Sequence, residues 1–130
     1  MVEIDNIRNV LHGMNSLGIH LSPYGNDTGG GSLITEIEYN MEKRTAAFDL
    51  QRITEAITEI PQYFKPQRVY SKASSYALKH HLEEKTGRYI TNGDFIMAMV
   101  LSGYRYKFLQ YNRYIKGVNC VFNCRTILAS

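Results

Sequence analysis

The stretch TNGDFIMAMVLSG, residues 91–103, decides the fold because it holds seven consecutive apolar residues, beginning at Phe95. Thr91 with Asp94 three positions later resembles a capping box, and Gly103 is a typical helix stop, so we predict a helix between them. A helix that is apolar on every side has to be buried. Burying these side chains contributes on the order of 10 kcal/mol before the entropic cost of folding. We therefore expect this helix at the centre of the core.

The segment before it, SKASSYALKHHLEEKTG, begins at Ser71 and predicts a shorter helix. Ser71 or Ser74 can cap its start, and Gly87 can end it. Leu78 and Leu82 fall on the side that faces the core, and most of the remaining surface is polar.

After the central helix the pattern changes to alternation, which is typical of strands. Tyr104 and Phe108 belong to an alternating run of aromatic and basic residues, and residues 118–124 also follow a two-residue period. We predict that these two strands form a hairpin with Gly117 in the connection. The order of helix, tight connection, helix and hairpin over residues 66–127 resembles a winged helix-turn-helix.

The first helix of the chain is predicted by an apolar stripe that runs from Ile4 to Leu17 at helical spacing and stops at Gly18. The next stretch, residues 18–31, contains Pro23 and three consecutive glycines, which favour a flexible connection. Such a connection allows the first helix to pack against a second copy of the chain. We therefore expect that a homodimer can form through the N-terminal helices.

Residues 33–42 alternate as in a strand but also place apolar residues at helical spacing, and we predict a helix. The next stretch carries a longer helical stripe that should end at Pro61. The stripe consists of Ala46, Leu50, Ile53, Ile57 and Ile60. The outer face of this helix is expected to be acidic, with Asp49, Glu55 and Glu59.

Together these elements predict a mainly α protein with a small C-terminal β-hairpin, an α+β fold in one compact domain. A chain of 130 residues can build one hydrophobic core. It lacks the ~18 consecutive apolar residues of a membrane span, so we expect no membrane partner. Cys120 and Cys124 would lie too far apart on one strand for a disulfide, and we expect free thiols.

Charge divides the chain into an acidic helical part, residues 1–60, and a basic, tyrosine-rich part, residues 61–130. The first part holds four basic and nine acidic side chains, a net charge of −5, and the second part carries +8. Eight of the ten tyrosines also fall in the second part. Basic side chains can contact phosphates and aromatic rings can stack on bases, so this composition indicates nucleic-acid binding.

We predict phosphate contacts from the basic residues of the second part. The predicted nucleic-acid-binding residues are Lys72, Lys79, Arg105, Tyr106, Lys107, Arg113, Lys116 and Arg125, and Tyr104, Tyr111 and Tyr114 are further candidates for stacking on bases. The central helix carries no Lys or Arg, which argues against base reading in the major groove. The alternative is that these cations form an ordinary solvated face.

A second candidate is a polar site on the helix that begins near Ser74. Tyr76, His80 and Glu83 share one face of that helix with Lys79, and we group Asn92 with them. A histidine beside a carboxylate can act in acid-base chemistry, but no nucleophile motif or phosphate loop accompanies it. We predict no catalytic residue. The spacing of the histidines and cysteines does not match a zinc site, so we expect neither a metal nor a cofactor.

The string SSYALKHHLEEKTGRYITNGDFIMAMVLSGY resembles a segment of small, uncharacterised proteins of tailed phages and large DNA viruses. The matching residues are Ser75, Tyr76, Leu78, Lys79, His80, Glu83, Tyr89, Asn92, Gly93, Phe95, Ile96, Ala98 and Met99. Ala77 stands where that pattern has glycine, and NCVFNCR near the end is similar to the closing strand of such proteins. The resemblance covers residues 70–125. It implies a viral or phage origin and action in the cytoplasm or nucleus of the infected cell, or in the virion.

Two hypotheses for function follow from these features. The first is a small, non-enzymatic viral or phage accessory protein that binds nucleic acid through phosphate contacts of its basic C-terminal half. The second is a protein-interaction or virion-assembly module, in which the basic half docks on an acidic protein surface and binds no nucleic acid.

Overall fold

The computed structural model describes residues 1–23, 39–108 and 120–127. Within these ranges it has the predicted fold class, mainly helical with a C-terminal antiparallel hairpin. The elements are α1 Ile4–Ser16, α2 Met41–Ala47, α3 Leu50–Tyr63, β1 Phe64–Pro66, α4 Ser75–Thr86, α5 Asn92–Leu101, β2 Tyr106–Phe108, β3 Cys120–Phe122 and β4 Cys124–Thr126. The described helices include none that is long and apolar enough to cross a bilayer.

Helix α5 forms the centre of the core, as predicted. Its side chains are buried without interruption from Phe95 to Met99, and it packs against α1, α3 and α4. The Phe95 ring lies 6.0 Å from the Phe64 ring and 6.3 Å from the Phe122 ring, measured between centroids. Because these rings come from α5, β1 and β3, one aromatic cluster joins the central helix to both strand pairs.

Only half of the predicted capping box forms at the start of α5. The Thr91 hydroxyl accepts the Asp94 backbone N–H at 3.1 Å. The Asp94 carboxylate, however, accepts the backbone N–H of Asp49 at 3.2 Å. It thereby ties the start of α5 to the start of α3.

A flexible connection was predicted after α1. Its described part, residues 18–23, packs into the core. Leu21 and Ser22 are fully buried, and the Gly93 N–H donates to the Pro23 carbonyl at 3.2 Å. A Cβ on Gly93 would lie only 2.1 Å from the Ser22 carbonyl oxygen, so glycine is required at this close approach. Residues 24–38, which include the glycine run and most of the ambiguous 33–42 stretch, lie outside the described residues.

The apolar stripe of α1 is covered by the rest of its own chain. Ile7, Leu11 and Met14 are buried, and the helix packs against α2 and α5. The large apolar side chains that remain exposed on or near it are Met1, at 88%, Ile4, at 40%, and Leu17, at 70%. Dimerisation through the N-terminal helices stays a prediction.

The prediction of a single helix from Ala46 to Ile60 is wrong in two respects. The chain breaks between α2 and α3, where the Asp49 side chain accepts the Arg52 N–H and begins a new helix, and Ala46 is exposed. Helix α3 also continues past Pro61 to Tyr63. A proline this close to the end removes only one backbone donor, and the N–H of Phe64, the residue directly after the helix, still bonds to the Ile60 carbonyl.

The predicted hairpin is present, and a second strand pair accompanies it. Strand β2 pairs antiparallel with β3, with Tyr106 opposite Phe122. The run expected as one strand bends at Asn123 and continues as β4, which pairs with β1. Cys120 and Cys124 therefore lie on different strands, both as buried free thiols. The connection that contains Gly117 lies outside the described residues.

The order of α4, α5, β2 and β3 matches that of a winged helix-turn-helix. In such a motif the second helix enters the major groove. Here the second helix is α5, whose side chains fill the core. It has no face free for a groove, so the likeness is limited to the order of the elements.

Candidate functional site

The two strand pairs and the loop between β1 and α4 carry a set of exposed basic side chains, which we call the basic face. It consists of Lys65, Arg68, Lys72, Arg105, Lys107 and Arg125. Lys65 on β1 lies directly opposite Arg125 on β4. Two like charges thus face each other across one strand pair.

Asn123, at the bend between β3 and β4, holds the two strand pairs and the loop together. Its side-chain oxygen accepts the Arg105 N–H at 2.7 Å, and its carbonyl accepts the Gln67 N–H at 2.9 Å. The Arg105 guanidinium in turn donates to the Arg68 carbonyl at 3.2 Å. These bonds place Arg105 beside the loop that carries Arg68.

The remaining two members of the basic face are placed by neighbouring residues. Lys72 follows Ser71, whose N–H donates to the Phe122 carbonyl at 2.8 Å, so the loop runs alongside β3. Lys107 lies on β2, two positions after Arg105, and both side chains are exposed.

None of the six side chains forms an ion pair with a carboxylate of residues 1–23, 39–108 or 120–127. Four described acidic residues of the N-terminal part, Asp5, Glu42, Glu55 and Glu59, are paired with other cations. Glu59, expected on the outer surface of α3, is only 7% exposed and accepts from Arg52 at 2.9 Å and from Arg88. Arg88 also pairs with Glu55. Two of the three acidic residues predicted on the outer face of α3 are therefore paired with arginines, while the basic face keeps its charge.

A groove of about 330 Å³ lies beside the basic face, between the end of α3 with β1 and the turn that follows α5. It is lined by Ile60, Pro61, Phe64, Lys65, Pro66, Ser102, Gly103, Tyr104 and Asn123. Ile60 and Phe64 are almost fully buried and form its floor. Burial raises the pKa of Tyr104, so its phenol is neutral near pH 7.

Four of the eight predicted nucleic-acid-binding residues belong to the basic face, namely Lys72, Arg105, Lys107 and Arg125. Arg113 and Lys116, with the stacking candidates Tyr111 and Tyr114, lie outside the described residues. Tyr106 is half-buried, packs against the core and lies 5.6 Å from the Phe108 ring, so its ring is poorly placed for stacking on a base. Sequence reasoning missed Lys65 and Arg68, although the motif KPQR contains both within the basic half.

Lys79 does not belong to the basic face. It is 5% exposed, its ammonium lies 3.0 Å from a Glu83 oxygen, and it sits 5.4 Å and 5.0 Å from the ring centroids of Tyr76 and Tyr89. A lysine enclosed in this way cannot reach a phosphate without giving up its partners. Its predicted role in phosphate contact is replaced by a structural one.

Glu83 is the centre of the predicted polar site. One of its oxygens accepts from Lys79 and from the Ile90 backbone N–H, both at 3.0 Å. The other lies 2.9 Å from the His80 ring nitrogen Nδ1. Burial would raise the pKa of the Glu83 carboxyl, but the Ile90 N–H and the neighbouring cations hold it below its ordinary value.

The polar site connects α4 to the loop before α5. Glu83 holds the Ile90 N–H, and from the other side the Arg52 guanidinium donates to the Tyr89 carbonyl at 2.9 Å. With both Glu83 oxygens engaged, the carboxylate is suited to holding the loop in place. Asn92, the fourth predicted member, is the first residue of α5 and lies two positions beyond Ile90.

The two cysteines are deeply buried. Burial raises the pKa of both thiols, that of Cys124 to about 11, so both are protonated and unreactive near pH 7. Residues 1–23, 39–108 and 120–127 include no cluster of His, Cys, Asp or Glu suited to a metal ion.

No family model, curated protein or solved structure matches the chain. The resemblance of residues 70–125 to phage and viral proteins stays a prediction. The functional assignment therefore depends on the residues and geometry of the basic face.

Proposed function

We propose that the chain is a non-enzymatic nucleic-acid-binding protein that contacts phosphates through the basic face. The observation that carries this proposal is the direct opposition of Lys65 and Arg125 on β1 and β4. Like charges placed directly opposite each other destabilise a strand pair. Phosphates provide the compensating charge that the described part of the chain does not supply at this point.

The arrangement of the other cations supports the same partner. Arg105 lies against the loop that carries Arg68, and Lys72 continues that loop along β3. Cations distributed over adjoining backbone segments can contact several phosphates of one strand at once. Each contact releases counterions, which makes such binding strongly dependent on salt.

The proposed binding is weakly sequence-specific. Reading base edges in the major groove requires a helix or ribbon with polar side chains directed into it. Helix α5, which would occupy that position in a winged helix-turn-helix, is buried from Phe95 to Met99. Phosphate contacts fix position but carry no direct sequence information.

The test is fluorescence anisotropy with labelled random-sequence DNA and RNA near 0.1 M salt. The triple variant Lys65→Ala, Arg105→Ala, Arg125→Ala should bind at least about 100-fold more weakly than the wild type, since each lost phosphate contact costs roughly a factor of ten at this salt concentration. The control is the double variant Lys43→Ala, Lys85→Ala, which removes two exposed lysines from α2 and α4 and is compared with the double variant Lys65→Ala, Arg125→Ala. Equal weakening by the control would contradict a localised face.

We extend the proposal to the setting in which the protein acts. The resemblance of residues 70–125 supports a viral or phage accessory protein that works in the infected cell or the virion. A fractionation of infected cells, probed for this chain together with viral nucleic acid, tests that setting.

A second candidate is a protein-interaction or virion-assembly module. The observation in its favour is a group of exposed large side chains around the start of α4 and the loop before α5. These are Val69, Tyr70, Tyr76 and Tyr89, exposed at 67%, 40%, 52% and 71%. Tyrosine is enriched at protein interfaces. Failure to bind nucleic acid, together with capture of an acidic partner that Tyr76→Ala and Tyr89→Ala abolish, would favour this candidate.

A further inference from the structure

The groove beside the basic face has the size and lining of a binding site for one small planar ring. Its volume of about 330 Å³ lies at the lower end of the range for ligand pockets. Ile60 and Phe64 provide an apolar floor, and Pro61, Pro66 and Tyr104 provide flat walls. This lining suits a ring that stacks on apolar and aromatic surfaces.

One cation lines the groove, and two more are neighbours of its lining residues. Lys65 is one of its lining residues, and Arg125 lies opposite Lys65 in the strand pair. Arg105 directly follows the lining residue Tyr104, and its N–H bonds to the side chain of Asn123, another lining residue. A ring in this groove would therefore lie next to Lys65, with Arg105 and Arg125 on segments that adjoin the lining.

We infer that the groove binds one unpaired base of a single-stranded nucleic acid, while Lys65, Arg105 and Arg125 contact the phosphates on either side. This inference rests on the proposed function and deepens it by assigning the class of nucleic acid. A base combined with its flanking phosphates has the required chemistry, a planar ring with stacking faces and polar edges between anions. A base inside a duplex is stacked and paired, and cannot enter.

Asn123 supplies a polar contact in the groove. Its side-chain oxygen already accepts the Arg105 N–H at 2.7 Å, so its amide NH2 group is the part that can donate to a base carbonyl or ring nitrogen. Donation to a single acceptor is compatible with any of the common bases, which agrees with weak sequence specificity.

The inference is tested with labelled 12-nucleotide single strands and the matched duplex at equal salt. The wild type should prefer the single strand by roughly 5-fold to 150-fold, the range expected from stacking one base. Ser102→Leu places a larger side chain in the groove. The substitution removes the Ser102 hydroxyl, which donates to the Ala98 carbonyl at 2.7 Å. The variant should still fold, because the Ser102 N–H bonds to the same carbonyl at 2.9 Å and is kept. We expect this variant to lose the preference and to keep the affinity for duplex.

Tyr104→Ala should have the same effect as Ser102→Leu, and Tyr104→Phe, which keeps the wall, should retain the preference. Equal affinity of the wild type for single strand and duplex, or an unchanged preference in Ser102→Leu, would overturn the inference and leave the proposed function standing. Free dAMP is the last probe, and an affinity equal to that of the oligomer would instead identify a nucleotide site. If the protein bound neither the single strand, nor the duplex, nor dAMP, the proposed function itself would be refuted.

Discussion

Reversing the charge of Lys65 should make the protein more stable and a weaker binder of nucleic acid. Lys65 and Arg125 are exposed and directly opposed in register. Opposed pairs of opposite charge contribute roughly 0.2–1 kcal/mol, and like pairs cost a similar amount. After allowance for solvent screening, Lys65→Glu should raise the free energy of unfolding by about 1 kcal/mol. For a chain of this length the melting temperature rises by about 3–5 °C.

The same variant removes one phosphate contact and introduces a repulsive charge. Affinity for duplex DNA at 0.1 M salt should fall about tenfold, and the slope of log K against log salt should become less negative by about one. Thermal unfolding followed by circular dichroism and anisotropy titrations at several salt concentrations measure the two effects. The matched control is Lys43→Glu on α2, which changes the net charge equally and should leave binding nearly unaltered.

Two results would refute this reasoning. If Lys65→Glu lowered the melting temperature, the two cations would not be repelling each other across the strands. If it stabilised the protein but left binding unchanged, Lys65 would not contact phosphate. A variant that is more stable but binds more weakly is expected where a binding site contains an unfavourable charge pair.

The remaining predictions concern the fold and its buried groups. Gly93→Ala should destabilise the protein by at least about 2 kcal/mol, because its Cβ would meet the Ser22 carbonyl; Gly13→Ala, where a Cβ meets nothing within 4 Å, is the control in urea unfolding. Burial raises the pKa of Asp94 to about 6, above its ordinary value of 3.8. The free energy of unfolding should therefore fall as the pH rises from about 4 to about 6, and it should stay lower above pH 6. Asp94→Asn should therefore be more stable than the wild type at pH 7 and equal to it near pH 4, and a difference independent of pH would contradict this. Cys120 and Cys124 should react with a thiol reagent only after unfolding, since both are buried; rapid labelling of the native protein would show that β3 or β4 opens.

The helices around the core could be predicted because their signals are local. The capping residues Ser74 and Thr91, the stop at Gly87 and the apolar run of α5 are all found in the structure. Each depends on residues within one or two turns of the same helix, so a single sequence contains the information.

The second strand pair could not be predicted because its partners are distant in sequence and only three residues long. Phe64 pairs with Thr126, and neither segment has enough residues to show a period. The basic face was recognised in part, through Lys72, Arg105, Lys107 and Arg125, but Lys65 was found only through this pairing.

Burial of charged residues was the other source of error. Lys79 and Glu59 appear as surface residues in a sequence because charged side chains are seldom buried unless they are paired. Their partners are Glu83 on the same helix and two arginines, one of them 29 residues away. Helical spacing can suggest the pairing of Lys79 with Glu83. Only the fold shows the pairing of Glu59 with Arg88, and only the fold shows how deeply Lys79 and Glu59 are buried.

The measurement that tests the central claim most directly is the salt dependence of binding to a random-sequence 20-base-pair duplex. Six phosphate contacts from the basic face predict a slope of log K against log salt of about −5, with a dissociation constant in the micromolar range near 0.1 M salt. No binding at tens of micromolar, or a slope near zero, would contradict the claim that this face binds phosphates.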